Sequence, residues 1–297
     1  MANSAPVQPT VLTFDTLPPV VPSFARAVTT RRAGLRGDAR LGRFEATIAN
    51  VAPEPQRLAD FQELIRWPRP DEMPPTYPHA LVGPVHVAML THSSFPLRPI
   101  GIIHLYNRIE QRAAIPQDRP ITFHVEIDGH EDTPAGRVFE LRTDALVDGE
   151  KLWSEITGIL SRTPNARGSV DPPPPVPEVA TTRSTFWQVP GNTGRRYSAV
   201  SRDFNPIHLF PITALPFGFK RPIAHGMWTL GRALAELDRD LYQGPVAIDV
   251  AFRRPLLLPS RVGFRSWSEG DACTFSVNPA RGKTPHLVGS ARPLADG

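Results

Sequence analysis

Between residues 164 and 182 the chain reads PNARGSVDPPPPVPEVATT, with four consecutive prolines at Pro172 to Pro175. Each proline fixes its own φ near about −65° and pushes its predecessor toward extended dihedrals, so this stretch is a solvated connector that no helix or central strand can cross. It separates residues 1–163 from residues 183–297, and each part is long enough for an ordinary core. The division constrains the fold strongly, because the two parts carry the same order of elements.

In the first part a candidate helix runs from Pro78 to His92 and contains Gly83 and Pro84, which predict that it is short or broken there. Ile121, Phe123, Val125 and Ile127 then alternate with Thr122, His124, Glu126 and Asp128, the pattern of a half-buried strand. Ile100 to Ile109, Arg137 to Leu146 and Lys151 to Leu160 are further strand candidates, with Asp148-Gly149 as a hairpin turn between the last two. In the second part Met227, Leu230, Leu234 and Leu237 recur at helical spacing, Gly231 allows close backbone approach, and a buried helix is expected from Gly226 to Asp238. Val246, Ile248, Val250 and Phe252 alternate with Ala247, Asp249, Ala251 and Arg253, and strands near Arg261 to Trp267, Ala272 to Asn278 and His286 to Pro293 complete the set. Each part therefore reads as one apolar helix followed by about four antiparallel strands, an α+β class.

No run of 18 apolar residues is present, and the opening MANSAPVQPTVLTFDTLPPVV places prolines and an acid where a signal peptide needs an unbroken apolar centre, so no membrane span and a cytoplasmic enzyme are expected. Cys273 is the single cysteine, which excludes an internal disulfide and a thiolate zinc site. The formal charge is +4, and with only Lys151, Lys220 and Lys283 as lysines the basic side is almost entirely arginine. Arginine matches phosphate well, but the arginines are scattered and not interleaved with aromatics in any binding motif, so no nucleic acid is expected. One phosphate-accepting patch on an ordinary solvated surface fits better.

The chemistry concentrates between Tyr197 and Gly231, YSAVSRDFNPIHLFPITALPFGFKRPIAHGMWTLG. Pro206 cannot sit inside a helix and Asn205 before it is biased to extended dihedrals, so Asp203 and His208 ride on a bent loop where a carboxylate and an imidazole can converge on one small molecule. Downstream, Gly226 opens a helix whose first amides have no intrahelical partner and suit a developing oxyanion. Taken alone, an Asp five residues before a His is commonly a turn brace. Neither a G-x-S-x-G elbow, a Walker loop nor a G-x-G-x-x-G is present. His79, His86, His92, His104 and His124 have no paired metal-ligand spacing and read as structural or surface groups.

This segment resembles the signature of the MaoC-like dehydratases, the (R)-specific enoyl-thioester hydratases of the hotdog superfamily: a Tyr, then Ser-Gly-Asp-x-Asn-Pro-Ile/Leu-His, then Pro-Ile-Ala-His-Gly-Met. The whole chain, with TYPHALVGPVHVAML and IGIIHLYNRIEQ in its first part, is similar to the double-hotdog members. The resemblance implies two helix-wrapped antiparallel sheets paired as a pseudo-dimer. It divides the chain into an N-terminal degenerate hotdog, 1–163, that supplies the acyl groove, the connector 164–182, and a catalytic hotdog, 183–297. Asp203 and His208 are implied as catalytic, with Gly226, Asn205 and His225 at the oxyanion and substrate; Asn205 as loop brace or reactant, and His225 as helix brace or substrate contact, stay open. Arg202 stands where the family has Gly, and Phe210 where an acid or amide often follows the His.

The implied reaction is reversible hydration of a trans-2-enoyl thioester to an (R)-3-hydroxyacyl thioester. It needs no metal or redox cofactor; coenzyme A or phosphopantetheine enters as part of an acyl-CoA or acyl-carrier-protein substrate. Arg195, Arg196, Arg202, Lys220 and Arg221 flank the loop and are candidates for the carrier phosphates. A homodimer is compatible with this reading. The segment FQELIRWPRPDEMPPTYPHA before the first helix has no Asp-x-Asn-Pro-x-His, so one active site per chain is expected. Two rivals remain: a hotdog acyl thioesterase, whose acid commonly sits on the central helix where this chain has only Glu236 and Asp238 at the far end, and a non-catalytic acyl-thioester binding module.

Overall fold

A computed structural model describes residues 9–20, 22–23, 32, 34–35, 39–97, 101–163, 183–242 and 244–294; the connector 164–182 and Ile100 lie outside the described residues. The first part contains β1 (Thr10–Phe14), β2 (Phe44–Val51), α1 (Pro55–Ile65), α2 (Tyr77–Thr91), β3 (Ile103–Gln111), β4 (Ile121–Ile127), β5 (Glu131–Thr133), β6 (Gly136–Val147) and β7 (Glu150–Arg162). The second contains β8 (Arg183–Val189), α3 (Thr193–Ser201), a 3₁₀ turn (Pro206–His208), α4 (Pro211–Ala214), α5 (Gly226–Leu234), β9 (Val246–Phe252), β10 (Ser260–Glu269), β11 (Ala272–Pro279) and β12 (Leu287–Pro293).

The strands form one sheet in the order β1-β2-β4-β6-β7-β3-β9-β12-β11-β10-β8. From β2 to β3 and from β8 to β9 the two parts run the same path in opposite directions, and they meet where β3 pairs antiparallel with β9, from Tyr106 opposite Ala251 to Gln111 opposite Val246. Joining the sheets edge to edge consumes one exposed edge of each. Each sheet curls over its own helix: α2 packs on β2 and β4, and α5 on β11 and β12. This is the double hotdog that the resemblance implied, with one core running through both parts from Phe44 and Trp153 to Phe264 and Phe275.

The structure corrects the expectation of a broken first helix. α2 runs unbroken through Pro84. A proline inside a helix costs about 3 kcal/mol, but Val82, Val85 and Met89 are wholly inaccessible, and fully burying each such side chain contributes roughly 1.5–3 kcal/mol. Packing therefore holds the helix across its missing hydrogen bond. α5 ends at Leu234, before the expected Asp238. The alternating strands and the Asp148-Gly149 turn, with both residues at positive φ (52° and 84°), are as expected. Edge strands β1 and β8, strand β2 beside β1, and helices α1 and α3 were not anticipated.

Candidate active site

The nine residues of α3 end at Arg202, whose backbone turns left-handed (φ 60°, ψ 13°) and whose N–H closes on the Ser198 carbonyl at 2.8 Å. That reversal points the next residue, Asp203, away from the helix, and it is a conformation that glycine, the residue the resemblance implied here, adopts without strain. A ladder of short side-chain bonds then fixes the loop. The Ser201 hydroxyl accepts from the Asp203 N–H at 3.2 Å, Asp203 Oδ1 accepts from the Asn205 N–H at 3.1 Å, and Asn205 Oδ1 accepts from the Ile207 N–H at 3.4 Å. Asn205 thus braces the 3₁₀ turn that carries His208. Gly194 allows α3 to lie against that turn, since a Cβ there would overlap the His208 carbonyl.

His208 is buried, and its Nδ1–H donates to the Ile223 carbonyl at 2.9 Å. The acceptor fixes the tautomer and leaves Nε2 with the lone pair. His225 lies beside it, with Nε2 3.2 Å from the Asp203 carbonyl oxygen and 3.6 Å from Asp203 Oδ2. Its Nδ1 is buried without a partner, and its ring also rests on Tyr197 at 4.7 Å between centroids. Ligand atoms of Asp203, His208 and His225 all lie within 4.8 Å of one another, close enough to share one small species such as a water. Burial lowers the His208 pKa, opposed by the Asp203 charge and the Ile223 bond; burial and then the neighbouring His208 hold His225 well below 6.5. Both rings are therefore held neutral near pH 7.

Gly226 begins α5 directly after His225, and the first amides of that helix have no intrahelical acceptor. A Cβ on Gly226 would come within 2.8 Å of the Phe252 ring, so glycine is what lets this helix end approach the sheet. Gly231 serves similarly further along, where a Cβ would meet Thr76 Oγ1 at 3.1 Å. The acid at the far end of α5 is taken up structurally: Glu236 is buried and bonded by Arg232, Arg183 and the Trp187 indole N–H. It does not join the Asp203 group, which removes the feature a thioesterase reading needs.

The five candidate cations separate. Arg195 donates to the Leu209 carbonyl at 2.9 Å and stacks on Phe210, Arg196 pairs with Glu63 at 3.0 Å, and Arg202 pairs with Glu54 at 2.8 Å. Those three hold the loop and tie the two parts together. Lys220 and Arg221 are exposed, with Arg221 reaching only the Pro259 carbonyl at 3.1 Å. A concavity of about 860 Å³ on the outer sheet face, lined by Arg43, Glu45, Lys151 and Asp144 among others, does not include the Asp203 group, and its charges pair with one another.

Sequence reasoning missed one cluster. His79 and His86 on α2, His104 and Asn107 on β3 and Glu155 on β7 come together behind the loop, with His79 Nδ1 2.7 Å from Glu155 and His86 Nε2 2.9 Å from Thr143 Oγ1. The available signal was Glu155 at an inward position of β7, flanked at alternate residues by Trp153 and Thr157.

A double hotdog with one acid/base group set against the N-terminus of a central helix defines the class. Residues 172–286 match the family described as MaoC like domain. The chain is 30% identical over 256 residues to 3-hydroxyacyl-thioester dehydratase X of Mycobacterium tuberculosis (strain ATCC 25618 / H37Rv), covering 84% of this chain and 89% of that protein. The crystal structure of HtdX from Mycobacterium tuberculosis superposes with a TM-score of 0.73 at 27% identity, over 84% of this chain and all of that one. A conserved hypothetical protein from the same organism, described as a double hotdog fold, matches at a TM-score of 0.53 and 12% identity over 86% of this chain and 95% of that one. The chain belongs to the MaoC-like dehydratase family.

Proposed function

We propose that this enzyme adds water reversibly across the double bond of a trans-2-enoyl thioester, giving an (R)-3-hydroxyacyl thioester, with residues 183–297 as the catalytic unit and residues 1–163 as groove wall. In the hydration direction Asp203 takes a proton from the water as its oxygen bonds to C3. The electron pair moves onto the thioester oxygen, where the Gly226 N–H stabilises it; the proton held by Asp203 then passes to the Nε2 lone pair of His208 and from there to C2 as the electron pair returns, so both groups end as they began. The step changes no net oxidation state and calls for no redox cofactor. Coenzyme A or phosphopantetheine is part of the substrate, and Lys220 and Arg221 receive its phosphates.

The observation that carries this reading is the convergence of Asp203 and His208, with the free Nε2 of His208, beside the uncovered amides of α5. The test follows ultraviolet absorbance of crotonyl-CoA and longer enoyl-CoA substrates, with a parallel assay for free thiol. Loss of absorbance without thiol release is expected. Stoichiometric thiol release would replace the reading with thioester hydrolysis. Charge reversal of Lys220 and Arg221 together should raise KM more than it changes kcat, and the defect should shrink at high salt.

A further inference from the structure

Six large apolar side chains are exposed among the described residues, and four of them, Phe204, Phe210, Ile212 and Leu215, fall in one short segment with exposures from 37% to 74%. The other two, Val11 and Phe186, lie singly on the end strands β1 and β8. Single exposed apolar residues are ordinary, whereas a group of them marks a surface that something covers. Loose packing is not the cause. Ala214, in the middle of the segment, is wholly buried and anchors it, so its apolar neighbours are held outward.

The group is fixed to the loop that carries Asp203. Phe204 follows Asp203 directly in the chain. Thr213 Oγ1 of α4 donates to the Pro206 carbonyl at 2.6 Å, and the Arg195 guanidinium of α3 lies over the Phe210 ring, 4.8 Å from its centroid. Ile212 and Leu215, three positions apart on a helical turn, share one outward side.

Charge around the group has one sign. From Arg183 to Ala235 the chain holds seven arginines and lysines and a single acid, Asp203. Arg183 and Arg232 pair with Glu236, Arg196 with Glu63 and Arg202 with Glu54. Arg195 and Arg221 bond to the Leu209 and Pro259 carbonyls, which leave their charge uncompensated, and Lys220 is exposed beside Arg221. The apolar group is therefore flanked by three cations at the edge of the reaction site.

We propose that this surface docks an acyl carrier protein, a small acidic protein that presents the acyl thioester on a phosphopantetheine arm: Phe204, Phe210, Ile212 and Leu215 cover its apolar side chains while Arg195, Lys220 and Arg221 face its acids and the phosphate of the arm. The proposal rests on the hydratase reading and selects the carrier of its substrate. An acidic partner is drawn to a field of opposite sign, and docking beside Asp203 sets the arm at the reaction site. A second copy on a two-fold axis would bring Lys220 and Arg221 against their own counterparts. A bilayer would hold this segment weakly, because such binding scales with buried apolar area and α4 has four residues. Coenzyme A shares the phosphate chemistry but has no apolar side chains to cover the group.

The test compares crotonyl-CoA with crotonyl loaded on the acyl carrier protein of the source organism. Full-length wild type is set beside the double variant Ile212→Asp, Leu215→Asp and the exposed control Val11→Asp. Since both replaced side chains are exposed, the melting temperature of the double variant should stay near that of the wild type. KM for the carrier-protein substrate should rise by about tenfold or more with kcat little changed, while KM for crotonyl-CoA stays as it was. Val11→Asp should match the wild type on both substrates. Separately from turnover, holo carrier protein without an acyl group should bind the wild type in a calorimetric titration, more weakly as salt rises, and should bind the double variant about tenfold less tightly or worse. Equal losses on both substrates would show a disturbed loop and overturn the proposal, as would a wild type that binds no carrier protein. A wild-type dimer that the double variant abolishes in sedimentation would give the surface to a second copy. Binding to vesicles of phosphatidylcholine and phosphatidylglycerol that the double variant loses would give it to a membrane. Either result would overturn docking of the carrier. Carrier binding without hydration of either substrate would instead reject the hydratase reading and leave the docking surface in place.

Discussion

His208 and His225 lie face to face, their ring centroids 3.6 Å apart and their planes 26° from parallel. Two buried imidazoles at that separation cannot both be protonated without strong repulsion. Burial keeps His208 neutral with its Nε2 lone pair available, and the stack then holds His225 neutral beside it, while the Ile223 carbonyl holds the other nitrogen of His208.

The first prediction follows from that arrangement. Asp203→Asn and His208→Ala should each lower turnover by roughly 10² or more, and the double variant should be little worse than the weaker single one, because the two act as a unit. The His208 pKa is depressed below its ordinary 6.5, so the acid limb of hydration kcat/KM that reports His208 should lie below 6.5. A pH–rate series on the wild type checks this, and a limb at or above 6.5 would contradict the neutral stack.

Gly226 and Phe252 give the second prediction. Gly226→Ala would press a methyl group to within 2.8 Å of the Phe252 ring and shift the helix start that carries the proposed oxyanion donor. Misplacing such a donor should lower kcat by about 10². Adding Phe252→Leu to Gly226→Ala makes room for the methyl and should recover part of the loss. If the second substitution deepens the defect, the clash is not its cause.

The grouping of the candidate site was legible where its residues lie close in sequence. Asp203, Asn205, His208, His225 and Gly226 fall within 24 positions, and the proline between Asn205 and Ile207 dictated a bend. The His79–Glu155 pair was not legible, because it joins residues 76 positions apart and a single Glu on a strand has no local signature. The two halves were legible because alternation along β4 and β9 survives burial on one face. Edge strand β8 and helix α3 were missed for opposite reasons: β8 leaves Phe186 exposed, and TGRRYSAVS is short and polar, with its place set by contact with α1. α2 shows packing overriding a local rule, since Gly83 and Pro84 predicted a break that the core does not permit.

Arg202 supports a third prediction. A residue with a Cβ in the left-handed region costs roughly 1 kcal/mol relative to glycine. The Arg202–Glu54 pair is exposed and contributes little against this. Arg202→Gly should therefore equal or exceed the wild type in stability, and should exceed Arg202→Ala, which keeps the Cβ and loses the pair, by about 1 kcal/mol. Urea denaturation of the three proteins measures the difference. Equal stability of the Ala and Gly variants would mean that the left-handed turn is not strained.

The fourth prediction concerns acid. His86 and His104 are held neutral down to about 3, whereas in the unfolded chain they protonate near 6.5. Between those values the unfolded state binds more protons, so stability should fall as pH drops from about 6.5 toward 3. Glu155, which burial raises but His79 lowers further, acts in the same direction: its contribution is present above its unfolded 4.5 and is lost as pH falls through its depressed folded value. The raised His79 acts oppositely, with its contribution present below 6.5 and lost as pH rises through its folded value. His104 can be isolated from the others, because its Nε2 is buried without a partner and its ring lies 4.6 Å from Phe252. His104→Phe keeps the ring contact and removes the proton site. It should leave the melting temperature near pH 7 unchanged or higher and flatten its decline on acidification. A decline as steep as that of the wild type would show that His104 binds its proton in the folded state as readily as in the unfolded one.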